Sequence, residues 1–237
     1  CMTASEKYRA RVSSLIEEIG RSQAEAIERA AQATADCLAR DGIIYLLGSG
    51  HSLLPAYEVH NRAGGMAPVN VILDPGFGRA ERVPGYAQTL FDKYDPERGS
   101  VLVIVSNSGR NPLPIEMAIL GKEREMTVVA ITSLAHSTSV TSRHPSGKRL
   151  FELADIVIDN LGEPGDAAIE VEGVAGKMGA TSSIAAITVV NSIMLDAAQI
   201  LALRGQAAPV LISANLDGSD EHNARLYERY KGRVAWL

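Results

Sequence analysis

Two stretches of this chain place small polar residues where backbone geometry can hold an anion. Residues 100–116 read SVLVIVSNSGRNPLPIE. Five apolar, mostly β-branched residues, 101–105, give way to a polar turn, Ser106-Asn107-Ser108-Gly109-Arg110, and then to Asn111-Pro112. A short apolar run bounded by turn residues fits a strand buried on both faces. Asn is a good helix N-cap and Pro a good first helical residue, so a helix is predicted from Pro112 to about Glu123. The turn therefore lies between the carboxyl end of a strand and the amino end of a helix. Unpaired N–H groups and the helix dipole attract negative charge there. Ser106, Asn107 and Ser108 add side-chain donors without bulk. The predicted chemistry is anion binding, with phosphate the favoured anion. Residues 43–52, IIYLLGSGHS, repeat the arrangement: a strand at 43–47, the turn Gly48-Ser49-Gly50-His51-Ser52, and a helix with Pro55 in its first turn. This is not a Walker loop, since no Gly-Lys-Ser/Thr occurs, and not a dinucleotide fingerprint, which would need glycine at Leu53. A lone G-x-G is common in tight strand–helix corners. Two serine-rich turns in one chain point to a shared site.

The elements that must position these turns follow from periodicity. Residues 5–41 read as helix, broken near Gly20, with Ser22 and Glu25 as a capping box that opens the second half. Ala24, Ile27, Ala31, Thr34, Ala35 and Leu38 form its apolar stripe. The helix at 53–63 carries Glu58, His60 and Arg62 and stops at Gly64-Gly65. A short strand at 66–73 contains Pro68, which suits an edge. Residues 74–85, with Arg79, Glu81 and Arg82, form a glycine- and proline-rich loop, either a lid or plain surface. A short helix at 88–94 follows. Strands are predicted at 127–131, ending in Thr132-Ser133, and at 156–158, with a further candidate at 169–171 after a glycine-rich turn at 159–166. Residues 173–179 read as a flexible connection. The long apolar helix 181–203, capped by Thr181 or Ser182, has enough apolar surface for the sheet and a subunit partner. Residues 209–212 are extended, and 220–230 form a charged helix carrying His222. Alternating strands and helices give an α/β fold, a doubly wound parallel sheet flanked by helices, with the strand-to-helix turns along one sheet edge. Residues 1–237 are taken as a single domain, with an N-terminal helical segment at about 5–41 and a C-terminal helix at about 220–231.

Bulk properties exclude several classes. At 237 residues, 46% hydrophobic and 22% charged, the chain is ordinary for a globular protein. A net charge of -5 gives no reason to expect a nucleic-acid partner. The longest apolar stretch, 184–202, is interrupted by Thr188, Asn191, Ser192, Asp196 and Gln199, so no membrane span is expected. The N-terminal residues are polar and charged, without a signal-peptide pattern. The two cysteines, Cys1 and Cys37, make neither a disulfide framework nor a metal site, and a reduced, cytoplasmic setting is the simplest reading. Glu58, His60 and His222 have no HExxH or Cys/His spacing around them, so neither a metal nor a cofactor is expected.

The turns resemble those of the SIS (sugar isomerase) domain, a phosphosugar-binding fold with a flavodoxin-like three-layer sandwich. The residues that carry the resemblance are Gly48-Ser49-Gly50-His51-Ser52, Ser106-Asn107-Ser108-Gly109, Ile131-Thr132-Ser133 and the Thr181-Ser182-Ser183 opening of the long helix. It covers about residues 22–203. GSGHS, NRAGGMAPV, SGKRL and the Gly165-Asp166 turn are similar to the UPF0309 group of SIS-domain proteins, with phosphoheptose isomerase a more distant relative. The resemblance implies that Ser52, Ser106 and Ser108 bind the phosphate, supported by Asn107, Gly109 and Ser133. Ser49, Gly50 and His51 line the sugar, and Gly48 and Thr181 complete the substrate-binding set. Two positions depart from the pattern. Asn111 stands where relatives often have another phosphate-binding Ser or Thr. Arg62 stands where phosphoheptose isomerase and the muramic-phosphate etherases place a catalytic glutamate.

An aldose–ketose isomerase moves a proton between adjacent carbons through an enediol. It needs a base near that edge and an acid or cation for the developing oxyanion. Glu58, one turn before Arg62 on the same helix face, is the candidate base. His222 is the candidate acid or ring-opening group, since relatives contribute a histidine from the C-terminal part of the chain or from a neighbouring subunit. His51 could touch the sugar, or be a turn histidine bonded to the backbone. Arg62 could neutralise an anion, or pair with Glu58. His144 and Lys148 could close over an anionic substrate, or form a basic surface loop. The expected protein is a phosphosugar-binding aldose–ketose isomerase acting as a homodimer or homotetramer. The alternatives are a phosphosugar lyase or etherase using the same cradle, and a non-catalytic phosphosugar-binding module.

Overall fold

Five short strands, β1 (Ile44–Gly48), β2 (Val69–Ile72), β3 (Val101–Val105), β4 (Thr127–Thr132) and β5 (Ile156–Asp159), form one parallel sheet in the order β2-β1-β3-β4-β5. The computed structural model describes residues 2–235. Cys1, the cysteine set beside Met2, lies outside the described residues. Every residue of β1 and β3 is buried, as an uninterrupted apolar run requires. Ile44, Leu46, Val101, Val103, Val129 and Ile131 face one helical layer: α1 (Ala4–Ser22), α2 (Ala24–Ala39), α3 (Leu54–Val59) and α7 (Ser182–Leu203). Tyr45, Leu47, Leu102, Ile104, Val128 and Ala130 face the other: α4 (Tyr86–Tyr94), α5 (Pro112–Glu123) and Tyr230 at the end of α8 (Ser219–Tyr230). A short α6 (Leu134–Ser139) follows β4.

The strand order fixes where a ligand can sit. From β1 the chain moves outward to β2, then crosses back to β3 and proceeds the other way to β5. The reversal lies between β1 and β3, and open α/β sheets bind ligands in the crevice at the carboxyl ends of such a pair. Register places Gly48 opposite Val105, so the turns after β1 and β3 begin side by side.

Several predicted elements are corrected. The helix after β1 is a 3-10 turn, Gly50–Leu53, followed by α3, which ends at Val59 rather than 63. His60 turns extended, its ring Nδ1 2.7 Å from the Val69 carbonyl, and Asn61 takes a φ of +40°. Arg62 therefore lies beyond the helix. The break between α1 and α2 falls at Gln23, and the Ser22–Glu25 capping box does not form. Ser22 Oγ instead donates to the Glu18 carbonyl. The candidate strand at 169–171 belongs to a separate antiparallel hairpin, β6 (Ala167–Glu170) with β7 (Lys177–Ala180). Tyr8 of α1 anchors this hairpin by donating to the Ala180 carbonyl. Neither Thr181 nor Ser182 caps α7 as a hydroxyl acceptor. The Asp166 carboxylate does so, accepting from Thr181 N, Ser182 N and Ser182 Oγ.

By length and composition α7 is apolar enough to cross a membrane, with a mean hydropathy of 1.7 over its window. In the fold its Ala185, Ala186, Val189, Val190 and Ile193 are buried in the same core as α2. The polar residues that interrupt its sequence, Thr188, Asn191 and Ser192, bond back to carbonyls one turn earlier and so need no outside partner.

Candidate functional site

The two serine-rich turns close on each other because glycine lets them. A Cβ on Gly48 would sit 1.8 Å from the Ser52 carbonyl oxygen, so only glycine lets the first turn fold back on β1. Gly109 takes a φ of +54° and packs against Leu150, whose N–H donates to the Gly109 carbonyl. Gly48, Ser49, Ser52, Glu81 and Ser106 line one small cleft, of about 20 Å³. His51, Ser52, Asn107, Ser182 and Ser183 line a smaller depression beside it. Ser52 and Ser108 are half-buried, and neither hydroxyl has a hydrogen-bond partner among the described residues. Ser52 lines both hollows and Ser108 stands on the adjoining turn, and free hydroxyls at two helix starts are suited to an oxyanion.

The third turn serves a different purpose from the one expected. Ser133 is fully buried. Its hydroxyl accepts from His136 N and donates to the Gly162 carbonyl, so it caps α6 and cannot support a phosphate. Thr132 Oγ1, Ser137 Oγ and Ser133 N all lie within donor reach of the Asn107 carbonyl, at 3.0, 3.1 and 3.1 Å. The Asn107 side chain accepts from Asn160 Nδ2 at 2.6 Å. The third turn braces the second.

The loop at 74–85 is packed against the cleft. Asp74, 2% exposed, accepts from Gly76 N, Gly78 N and Tyr86 Oη at 2.7–2.8 Å and from Ser49 Oγ at 3.4 Å. The Ser49 hydroxyl thus points at Asp74. Burial, then the hydrogen bond to Asp74 and its charge, push the Tyr86 phenol up to about 12. Phe77 of the same loop meets the His51 ring edge-on at 6.2 Å. Glu81 accepts from Asn111 Nδ2 at 2.8 Å, and its carbonyl accepts from Leu113 N. Asn111 is the N-cap residue of α5, but its side chain is spent on Glu81 and on Arg143, not on the helix.

The remaining candidates lie elsewhere. The Glu58 carboxylate is paired with the Arg62 guanidinium, and Glu58 sits six residues past Ser52, roughly 9 Å further along the helical path. His222 Nε2 lies 2.8 Å from the Val210 carbonyl. Val210 bridges Met66, which precedes β2, so His222 is at the sheet edge opposite the turns. His222 is therefore not brought to the cradle of its own chain, while Glu58 lies on the helix that leaves the first turn, its carboxylate engaged by Arg62. His144 is bonded to Ser146 Oγ and lies 3.6 Å from the Glu116 carboxylate, which also accepts from Gly85 N. It clips two loops to α5. The Lys148 side chain makes no hydrogen bond among the described residues. Thr181 is buried with its hydroxyl unpartnered. Among the described residues no group of three His, Cys, Asp or Glu side chains could hold a metal. Asp74, Glu81 and Asn160 were not expected at the site. For Asp74 a signal existed: it follows β2 where the ligand turns follow β1 and β3.

A 2-1-3-4-5 parallel sheet with glycine- and serine-rich turns meeting at its switch point defines a ligand-binding α/β domain. The chain belongs to the SIS domain family, which it matches over residues 7–133. It is 40% identical over 223 residues to a UPF0309 protein of Listeria monocytogenes, covering 94% of this chain and 95% of the relative. It is 37% identical to a UPF0309 protein of Shouchella clausii, with both chains covered in full. Among solved structures, the phosphoheptose isomerase of Francisella tularensis superposes with a TM-score of 0.56 at 18% identity, over 84% of this chain and 100% of that one. An Escherichia coli protein in complex with a sugar phosphate superposes with a TM-score of 0.53 at 15% identity, over 81% and 87%. At such identities the likeness is one of fold.

Proposed function

We propose that this chain binds a sugar phosphate in the cleft between the turns after β1 and β3 and interconverts its aldose and ketose forms through an enediol. The observation that carries the binding half is the pair of unpartnered hydroxyls, Ser52 and Ser108, in turns that meet at the switch point beside Ser106. The fold shared with phosphoheptose isomerase and with a protein solved in complex with a sugar phosphate supports it. The catalytic half requires a homo-oligomer. His222, at the opposite sheet edge of its own chain, serves the cradle of a second copy as acid, and Glu58, on the helix that leaves the first turn, is the base. A binding-only role is the second reading, favoured by the engagement of Glu58 with Arg62.

Thermal shift against sugar phosphates, each paired with its unphosphorylated parent, tests the cradle, because a native-state ligand raises Tm by mass action. Ser108→Ala should weaken a confirmed sugar-phosphate ligand by about tenfold, the loss of one hydrogen bond to a charged group. Unchanged affinity removes the cradle. Conversion of an aldose phosphate to its ketose, followed by NMR, separates the two readings: isomerisation produces the ketose, binding alone does not.

A further inference from the structure

Three arginines lie close in space or sequence to Glu81 and Asn111, beside this cleft. Arg110 directly precedes the N-cap of α5, and its Nε and Nη2 hold the Thr141 carbonyl and hydroxyl at 2.9 and 3.3 Å. Arg143 N donates to the Arg110 carbonyl at 2.8 Å, and its Nη1 donates to Asn111 Oδ1 at 2.9 Å. Arg82 follows Glu81, and its guanidinium donates no hydrogen bond among the described residues. Glu81 lines the cleft with Ser49, Ser52 and Ser106, and Asn111 joins it to Arg143, donating to Glu81 Oε1 while accepting from Arg143 Nη1. Lost hydration, then the charges of Arg110 and Arg82, hold the Arg143 guanidinium below the usual arginine range against the pull of Glu81.

Like charges on long side chains normally splay into solvent. Here backbone bonds fix two of them beside each other, on a chain whose net charge is -5. No purpose of the fold is met by Arg82 or by the free arms of Arg143. Guanidinium forks match the planar geometry of carboxylate and phosphate oxygens.

We propose that Arg82, Arg110 and Arg143 form a second anion subsite beside the serine cradle, so that the ligand is a sugar phosphate carrying a further anionic group, a carboxylate or a second phosphate. This rests on the reading that a phosphate occupies the cradle. The second group lies across the Asn111–Glu81 pair from the first, and the carbon chain spans the cleft between them. Glu81, between the two subsites, faces the sugar hydroxyls.

Calorimetric titration of the full chain tests this, with fructose 6-phosphate, fructose 1,6-bisphosphate and 6-phosphogluconate as probes at fixed low ionic strength. The expected result is that at least one doubly anionic probe binds about tenfold tighter than fructose 6-phosphate, as a charge-assisted hydrogen bond implies. The tighter of the two identifies the second group. Arg82→Ala/Arg143→Ala should reduce that ratio to about one and leave fructose 6-phosphate within about twofold, since neither side chain contacts the cradle. Arg82→Ala alone, whose side chain holds nothing in the fold, carries the same test if the double variant fails to fold. Equal affinity for all three probes, or a ratio that survives in the variants, overturns the subsite. Fructose 6-phosphate that binds, weakens in Ser108→Ala and shows no advantage for a second anion leaves the cradle standing and the subsite refuted. No binding by any probe refutes both.

Discussion

Asp74→Asn tests whether one buried carboxylate holds the wall of the cleft. Asp74 Oδ1 accepts from Gly76 N and Tyr86 Oη, both at 2.8 Å, and Oδ2 accepts from Gly78 N at 2.7 Å and Ser49 Oγ at 3.4 Å. An asparagine keeps one oxygen. If that oxygen takes the Oδ1 position, the amide nitrogen faces the Gly78 N–H, donor against donor. The loss is a bond to a charged group, about 1.5–3 kcal/mol, and a buried N–H is left unsatisfied. Ser49 can rotate its hydroxyl to accept, which offsets the smallest part. The sum is about 2–4 kcal/mol against the loop at 74–85. Phe77, held at a φ of +48° against His51, and Glu81 then leave the cleft. Urea denaturation measures any global loss. Trypsin reads the local one, because Arg79 and Arg82 lie in this loop and are exposed. Cleavage there should accelerate by about tenfold or more, since a local opening shifted by 1.4 kcal/mol changes its population tenfold. An Asp74→Asn variant with unchanged urea stability and unchanged cleavage would refute the assignment of the loop to this carboxylate.

Alkaline stability should show one buried phenol, Tyr45, and one half-buried phenol, Tyr86. Burial pushes Tyr45 up to about 12, and burial with the Asp74 hydrogen bond does the same for Tyr86. A raised folded pKa stabilises the protein fully below pH ~10 and loses that contribution as pH rises through about 12. The urea midpoint should therefore fall over that window as tyrosinate absorbance rises, and a flat midpoint contradicts it. At the acid end, partial burial raises the Asp41 carboxyl, but Arg229 and Arg233 outweigh it and hold it below the usual range. Its contribution is present above pH ~4 and is lost as pH falls below that value. Arg233→Ala, which also frees Glu97, should cost about 1–2 kcal/mol at neutral pH and flatten this acid limb. Thr132→Val/Ser137→Ala removes both hydroxyls from the Asn107 carbonyl, costs about 2 kcal/mol, and should weaken sugar-phosphate binding without altering the cleft lining. Unchanged affinity in that variant argues against pre-orientation of the turn.

The strand, turn and helix at 101–123 were legible because their signals are local. An apolar run precedes Asn-Pro, and α5 spans Pro112–Glu123 as predicted. The end of α3 was not, because it is set by the His60 ring on the Val69 carbonyl, nine residues on. The ligand role of Ser133 is implied only by the resemblance. The alternative signal was present, since serine before a helix is first of all an N-cap, and α6 follows it. Asp74 and Glu81 gain their roles from Tyr86, Ser49 and Asn111, which no periodicity connects. The distance of His222 from the cradle was likewise invisible, because it follows from the sheet edge that α8 reaches. The turns themselves were legible, and the strand order then set two of them at the switch point.

That order also explains why the second turn can await an anion. The Asn107 carbonyl has two lone pairs and three donor groups around it. Thr132 Oγ1 and Ser137 Oγ are 2.7 Å apart, so one hydroxyl donates to the other while the second donates to the carbonyl beside Ser133 N–H. The carbonyl is thereby saturated and directed toward the β4 side. In a trans peptide the following N–H points the opposite way. Cis bonds are absent among the described residues, so the Ser108 N–H is directed away from β4, toward the β1 side where Ser52 lies. Its hydroxyl stands on the same turn, equally without a partner. Donors fixed in this way before a ligand arrives spend no reorganisation on binding it, which is the condition under which hydrogen bonds to an oxyanion are worth most. The buried polar network of the third turn is thus the reason the second one presents the Ser108 N–H outward, and the candidate ligand site extends, in its causes, two strands beyond the residues that line it.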